Sequence, residues 1–171
     1  AASSISTHIR KQLIYRPKEI YDGALPSGNS VALHNLLRLA RLTGAADLSE
    51  TADRQCKAFA VNISELPWGH AHFLSGISLM LGPAREIVIA GQAGHEDTEA
   101  MLSAIRRAFM PETTVVFHPE DQGGSEIEKL VPHLREQRSV DGKATAYICE
   151  NQACQAPVTD YQEFAELLHL S

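Results

Sequence analysis

Apolar residues recur along this chain with two different periods, and the change between them divides it. Over the first half the spacing is helical. Ile5, Ile9 and Leu13 predict a short helix that ends before Pro17. Asp22 to Ser30 reads DGALPSGNS, a cluster of turn formers in which Ser27 or Asn29 can cap the next helix by accepting bonds from its free N–H groups. Val31, Leu33, Leu36, Leu37 and Ala40 then form an inward stripe, and Gly44 stops it. A second stripe, Leu48, Ala52, Cys56, Phe59, Ala60 and Ile63, predicts a helix from about Ser49 to Ile63, with Glu50, Asp53, Arg54 and Lys57 facing away. A third helix begins near Trp68 and ends at Gly82-Pro83. It is apolar nearly all round, which predicts burial on several sides.

After Pro83 the period shortens. Glu86 to Ala90, Thr113 to Phe117 and Ala144 to Cys149 are short apolar runs, read as buried strands. Asp97 to Phe109 between the first two is an amphipathic helix closed by Pro111. Ser125 opens another with Glu128 three residues on, a capping box, and Pro132 kinks or restarts it. Thr159 or Asp160 caps a last helix through Leu168. Strands alternating with helices predict right-handed crossovers and a small three-stranded parallel sheet. The expected fold class is therefore mixed α/β: a helical hairpin segment over residues 1–82, then a small α/β domain over 83–171. Three front helices make a poor core by themselves. They are expected to pack on the α/β unit, on another copy, or on helices outside this chain.

Composition narrows the function classes. The chain has 171 residues, 44% of them hydrophobic, which suits a globular core. No apolar run approaches the ~20 residues that cross a bilayer; the longest, Phe73 to Leu81, is broken by Ser75, Gly76 and Ser78. Ala1 to Thr7 lacks the basic and apolar regions of a signal peptide. The net charge of −6 comes with no Lys/Arg cluster, which argues against a nucleic-acid partner. Three cysteines, an odd and low count, fit a reducing compartment. The expected location is cytoplasmic, with neither nucleic acid nor membrane as partner.

Two stretches, KEIYDGALPSGNSVALHNLLRLARLTG (Lys18 to Gly44) and GKATAYICENQACQAPVTD (Gly142 to Asp160), resemble segments of the YyaL-type proteins. The resemblance runs from about Lys18 onward. It implies a complete protein with an N-terminal thioredoxin-like domain, a toroid of helical hairpins like that of six-hairpin glycosidases, and a C-terminal α/β portion. On that basis this chain is expected to be a C-terminal fragment in which residues 1–82 are the last hairpins of the toroid. Its expected role is then mainly structural. Its partner would be the remainder of the parent chain, or a second copy met through the helical face. A carbohydrate-active toroid, glycosidase- or epimerase-like, is one alternative, and a thiol–disulfide redox partner is another.

Candidate chemistry is sparse. In a toroid, ligands sit where helix-connecting loops converge. There Asp22 is a candidate acid or base, Ser27 and Asn29 are candidate hydrogen-bonding partners of a sugar hydroxyl, and Trp68 is a candidate stacking platform. Glycoside cleavage needs two carboxyl groups across the scissile bond. Glu19 lies too near Asp22 in sequence to be an obvious partner. The plainer alternatives are a turn at Asp22-Gly23, caps at Ser27 and Asn29, and a core-packing Trp68. Cys149 and Cys154, just after a strand, can remain structural thiols, form a reversible disulfide, or supply half of a metal site. Tetrahedral zinc needs four ligands, and His95, His118 or His133 would have to complete it. Cys56 is read as a buried core thiol. His70 and His72, two apart on a helix, point about 200° apart and do not chelate. Gly91-Gln92-Ala93-Gly94 follows a strand but completes neither phosphate-binding pattern, and Glu96 and Asp97 repel an anion there. Gly123-Gly124 is read as a plain loop. No cofactor motif, nucleophile elbow, H-E-x-x-H or triad is readable, so neither a reaction nor a metal site is assigned.

Overall fold

The computed structural model describes residues 18–151 and 153–169; the helix expected at Ile5 to Leu13 lies outside them. The chain divides into two compact units between Gly82 and Pro83.

The first unit holds α1 (Gly28–Thr43), α2 (Ala46–Glu65) and α3 (Ala71–Leu81), with a 3₁₀ turn at Pro67–His70 before α3. Ser27 caps α1: its Oγ accepts from Ser30 N–H at 3.1 Å. Gly44 ends the helix with φ 68°, a left-handed conformation that costs glycine little, and its N–H bonds the Ala40 carbonyl. The core is Ile20, Leu33, Leu37, Ala52, Phe59, Ile63, Phe73 and Leu79, with Phe59 and Phe73 edge to face at 5.9 Å. Gly76 lets α3 approach α1, since a Cβ there would stand 2.8 Å from Leu33. Two stripe residues go the other way: Val31 and Ala60 are exposed. Nor is α3 covered all round, because Phe73, Gly76 and Leu79 alone are fully buried while Leu81 is exposed.

The second unit contains β1 (Arg85–Gly91), α4 (Glu96–Arg107), β2 (Thr113–Pro119), α5 (Gln122–Leu130), a 3₁₀ turn at Pro132–Glu136, β3 (Thr145–Glu150), β4 (Ala153–Cys154) and α6 (Tyr161–His169). The class is mixed α/β, as expected. The three-stranded parallel sheet is not found. The sheet has four strands in the order β2-β1-β3-β4; β1 and β2 are parallel, but β3 runs antiparallel to β1. The cause is the connection after β2. Nine residues of α5 rise only about 13 Å, and Pro132, opening the 3₁₀ turn, breaks the helix there. The chain thus returns to the end of the sheet it left. His118 Nδ1 meets the Gln137 carbonyl at 2.8 Å, and Ser139 N–H donates to Glu120 Oε1 at 2.9 Å. β3 starts from that end and must run backwards. The cap of α5 also differs from the expected Ser125–Glu128 box, since Asp121 accepts from Gly123 N–H at 2.8 Å.

Ile87 and Ile89 of β1 and Ala146 and Ile148 of β3 face Met101, Ile105, Phe164 and Leu168 of α4 and α6. Alternate residues point to the opposite face, where His118 Nε2 lies 3.0 Å from Glu128 Oε1 of α5. Asp97, in the first turn of α4, accepts from Thr98 N–H at 2.7 Å and from Ala144 N–H at 2.7 Å, tying that helix to the entry of β3. Past β3 the chain turns at Asn151, φ 50°, and pairs back as β4. Left-handed φ is uncommon outside glycine but asparagine tolerates it.

Candidate functional site

The residues singled out from the sequence fall in two places, one in each unit. In the first, the segment before α1 lies over the start of α3. Asp22 N–H donates to the Gly69 carbonyl at 2.7 Å, and the Tyr21 ring sits against Gly69. Asp22 Oδ1 accepts from Ser27 N–H at 2.8 Å; Oδ2 accepts from His72 N–H at 2.9 Å and from Phe73 N–H at 3.0 Å. The carboxylate proposed as an acid or base is therefore a cap on the first turn of α3, where the helix dipole favours negative charge. Burial works to raise its pKa, but the bonds from Ser27, Ser30, Phe73 and His72 together hold it below the ordinary carboxylate value. A carboxyl so placed keeps its charge at neutral pH and has no proton to give.

Ser27 and Asn29 are buried and already partnered. Ser27 Oγ lies 2.8 Å from Ser30 Oγ, and Asn29 Nδ2 donates to the Glu19 carbonyl at 2.6 Å while its backbone carbonyl accepts from Gln55 Nε2 at 2.7 Å. Both fix the loop on α1 and α2. Trp68 does the reverse of core packing, being 78% exposed on the 3₁₀ turn. His70 is buried with Nδ1 3.0 Å from the Ile20 carbonyl, whereas His72 stacks on His34 with ring centroids 4.3 Å apart. Burial keeps the His34 imidazole below its ordinary pKa.

In the second unit Cys149 and Cys154 are joined as a disulfide across β3 and β4, where they face each other in register. The two ends differ: Cys149 is 8% exposed, while Cys154 lies open. Pairing in the sheet places Thr114, Glu86, Cys149 and Cys154 in one row, hence on one face. The turn Pro132–Glu136 stands over this row. His133 Nε2 is 2.9 Å from Glu86 Oε1, and Gln137 Nε2 is 3.8 Å from Cys149 Sγ. Thr114 Oγ1 and Gln137 Oε1 are buried without hydrogen-bond partners among the described residues. Of this surrounding set only His133 is a candidate from the sequence, as a metal ligand. Its real neighbours depend on the direction of β3, which no local pattern displays.

The remaining candidates do not join either place. His118 is consumed by Gln137 and Glu128, and His95 Nδ1 lies 2.6 Å from Asp97 at the start of α4. Among the described residues no three His, Cys, Asp or Glu side chains converge as a metal site. The Gly91–Gly94 loop leads into an α4 whose first turn already carries Glu96, Asp97 and Glu99. Cys56 is half-buried, its thiol pKa raised by burial and by Asp53. A groove of about 590 Å³ runs past Arg85, Phe109, Glu112, Ile148 and Gln155, on the other face of β3 from the disulfide. Among the described residues no helix is long and apolar enough to cross a membrane.

No family model and no solved structure matches this chain. Curated relatives do. Spermatogenesis-associated protein 20 of Homo sapiens is 34% identical over 154 residues, covering 90% of this chain and 20% of that protein. The Rattus norvegicus protein of the same name is 36% identical over 154 residues, covering 90% of this chain and 19% of its own length. The chain is similar to spermatogenesis-associated protein 20 and spans about a fifth of the length of the curated relatives it matches.

Proposed function

We propose that this chain serves as a module of a longer spermatogenesis-associated protein 20-like protein, and that its chemically active point is the Cys149–Cys154 hairpin, which exchanges reversibly with a dithiol partner. The observation that supports this is the asymmetry of the pair: one sulfur belongs to an exposed residue, the other to a buried one flanked by Gln137 and Glu86. A thiolate can reach such a disulfide from one side only. The rest of the chain acts as scaffold. Thiol counting on the folded protein tests the reading. The oxidised form is expected to show one slowly alkylated thiol, Cys56, and mild reduction should expose Cys149 and Cys154 with no change in circular dichroism. A pair that opens only on unfolding, or never closes, would sink the proposal.

A second reading, carbohydrate binding, draws on exposed Trp68 and Tyr21 near the Asp22 loop. Aromatic faces suit sugar rings, and the role falls to Trp68 rather than to the capping Asp22, Ser27 or Asn29. Saturable binding of a sugar by the full-length protein, lost in Trp68→Ala, is the expected result. No binding across a broad sugar panel counts against it.

A further inference from the structure

Gln137 ends the turn over the disulfide. It is 8% exposed, its Nε2 lies 3.8 Å from Cys149 Sγ and 4.0 Å from Cys154 Sγ, and its Oε1 has no partner among the described residues. A disulfide sulfur carries no hydrogen. The amide can therefore offer it only a weak N–H contact, and the carbonyl stays desolvated and unpaired, an arrangement that is costly when buried. A thiol does carry a donor hydrogen. Reduction places two S–H groups beside the same amide, and a half-turn of that amide exchanges its nitrogen and oxygen ends in place.

We infer that Gln137 is a positioning residue for exchange at this hairpin: it favours the dithiol state and directs attack to Cys154. The inference rests on the exchange reading above. In the forward step a thiolate of a dithiol partner attacks Cys154 Sγ. A new sulfur–sulfur bond forms there, the Cys149–Cys154 bond breaks, and Cys149 Sγ leaves with the bonding pair toward Gln137 Nε2–H. Cys149 takes up a proton from solvent as the bond breaks. The partner's second thiol then attacks the partner's own sulfur in the mixed disulfide, and Cys154 leaves and is protonated. The partner dithiol loses two electrons and two protons and becomes a disulfide; the hairpin gains both.

The test equilibrates the protein with mixtures of reduced and oxidised dithiothreitol, traps thiols by alkylation and counts them by mass spectrometry. Gln137→Met fills similar space without a carbonyl. It is expected to shift the equilibrium about tenfold toward the disulfide, about 30 mV for a two-electron couple. An unchanged equilibrium in a natively folded Gln137→Met protein overturns the inference, while the wild-type hairpin still cycling leaves the exchange reading intact. A wild-type disulfide that does not cycle overturns that reading instead. If Gln137→Met does not fold, the direction of attack carries the decision. Cys149→Ser should form a mixed disulfide with oxidised glutathione at least about tenfold faster than Cys154→Ser does, because the cysteine it keeps is the exposed one. Equal rates contradict the proposal.

Discussion

Replacing Asp97 by asparagine removes a charge from the point where α4 meets the entry of β3. Burial alone would raise the pKa of this carboxyl. The N–H groups of Ala144 and Thr98 and the ring of His95 lower it instead, from 3.8 to about 2. By linkage that difference corresponds to at most about 2.4 kcal/mol. The side chain is 37% exposed, so solvent screening reduces the contribution to about 1–1.5 kcal/mol. The sign follows from proton binding. Between the two pKa values the unfolded chain binds more protons than the folded one, so stability rises with pH there. The contribution is complete above about pH 4–5 and is lost as pH falls through about 2. Urea unfolding of wild type and Asp97→Asn at pH 7 and at pH 2 measures it. At pH 7 the variant should be less stable by about 1–1.5 kcal/mol, and at pH 2 most of the gap should close. A gap of equal size at both pH values would refute the reasoning, because the loss would then be one of shape and not of charge.

Other outcomes follow from the same geometry. Gly124→Ala should destabilise the second unit by more than about 2 kcal/mol in denaturant titration, since its Cβ would stand 2.0 Å from the Pro119 carbonyl oxygen, a backbone atom with little room to yield. Asp22→Ala uncaps α3 and leaves Ser27 N–H without its acceptor, so a loss of about 1–2 kcal/mol is expected. That loss should shrink in acid, where wild-type Asp22, held below the ordinary pKa, at last takes up its proton. Trp68→Ala should leave stability within about 0.5 kcal/mol, because the ring is largely exposed; a larger loss would mean that the side chain packs on something.

Local chemistry was legible in the sequence where it is satisfied locally. Ser27 and Gly44 mark the ends of α1 because a hydroxyl cap and a left-handed glycine act within a few residues of their own position. Pro132 likewise restarts the chain as a 3₁₀ turn with proline in its first turn. The direction of β3 was not legible. Its pattern is that of any buried strand, and the decision lies in the short α5 and in the bonds that return Ser139 to Glu120. Because register was hidden, so was the row that sets Glu86 beside Cys149. One local signal was available: Asn151 just after a strand, with a cysteine on either side, is the composition of a tight hairpin that brings the two sulfurs together. The burial of Gln55 is hidden in the sequence for a similar reason. Its polar side chain lies in an apolar stripe and is buried because Asn29, twenty-six residues away, supplies the acceptor.

The ring closed by Cys149 and Cys154 is small, with a sequence separation of only 5. A cross-link restrains the unfolded chain roughly in proportion to the logarithm of the loop it closes. A ring of this size contributes about 2 kcal/mol on that account, against about 4.7 for a hundred-residue loop. It is a clasp on one hairpin and not a girder of the domain. Under the exchange proposal, opening it is expected to remove only that share of the folding free energy, so the scaffold should keep its sheet in either oxidation state.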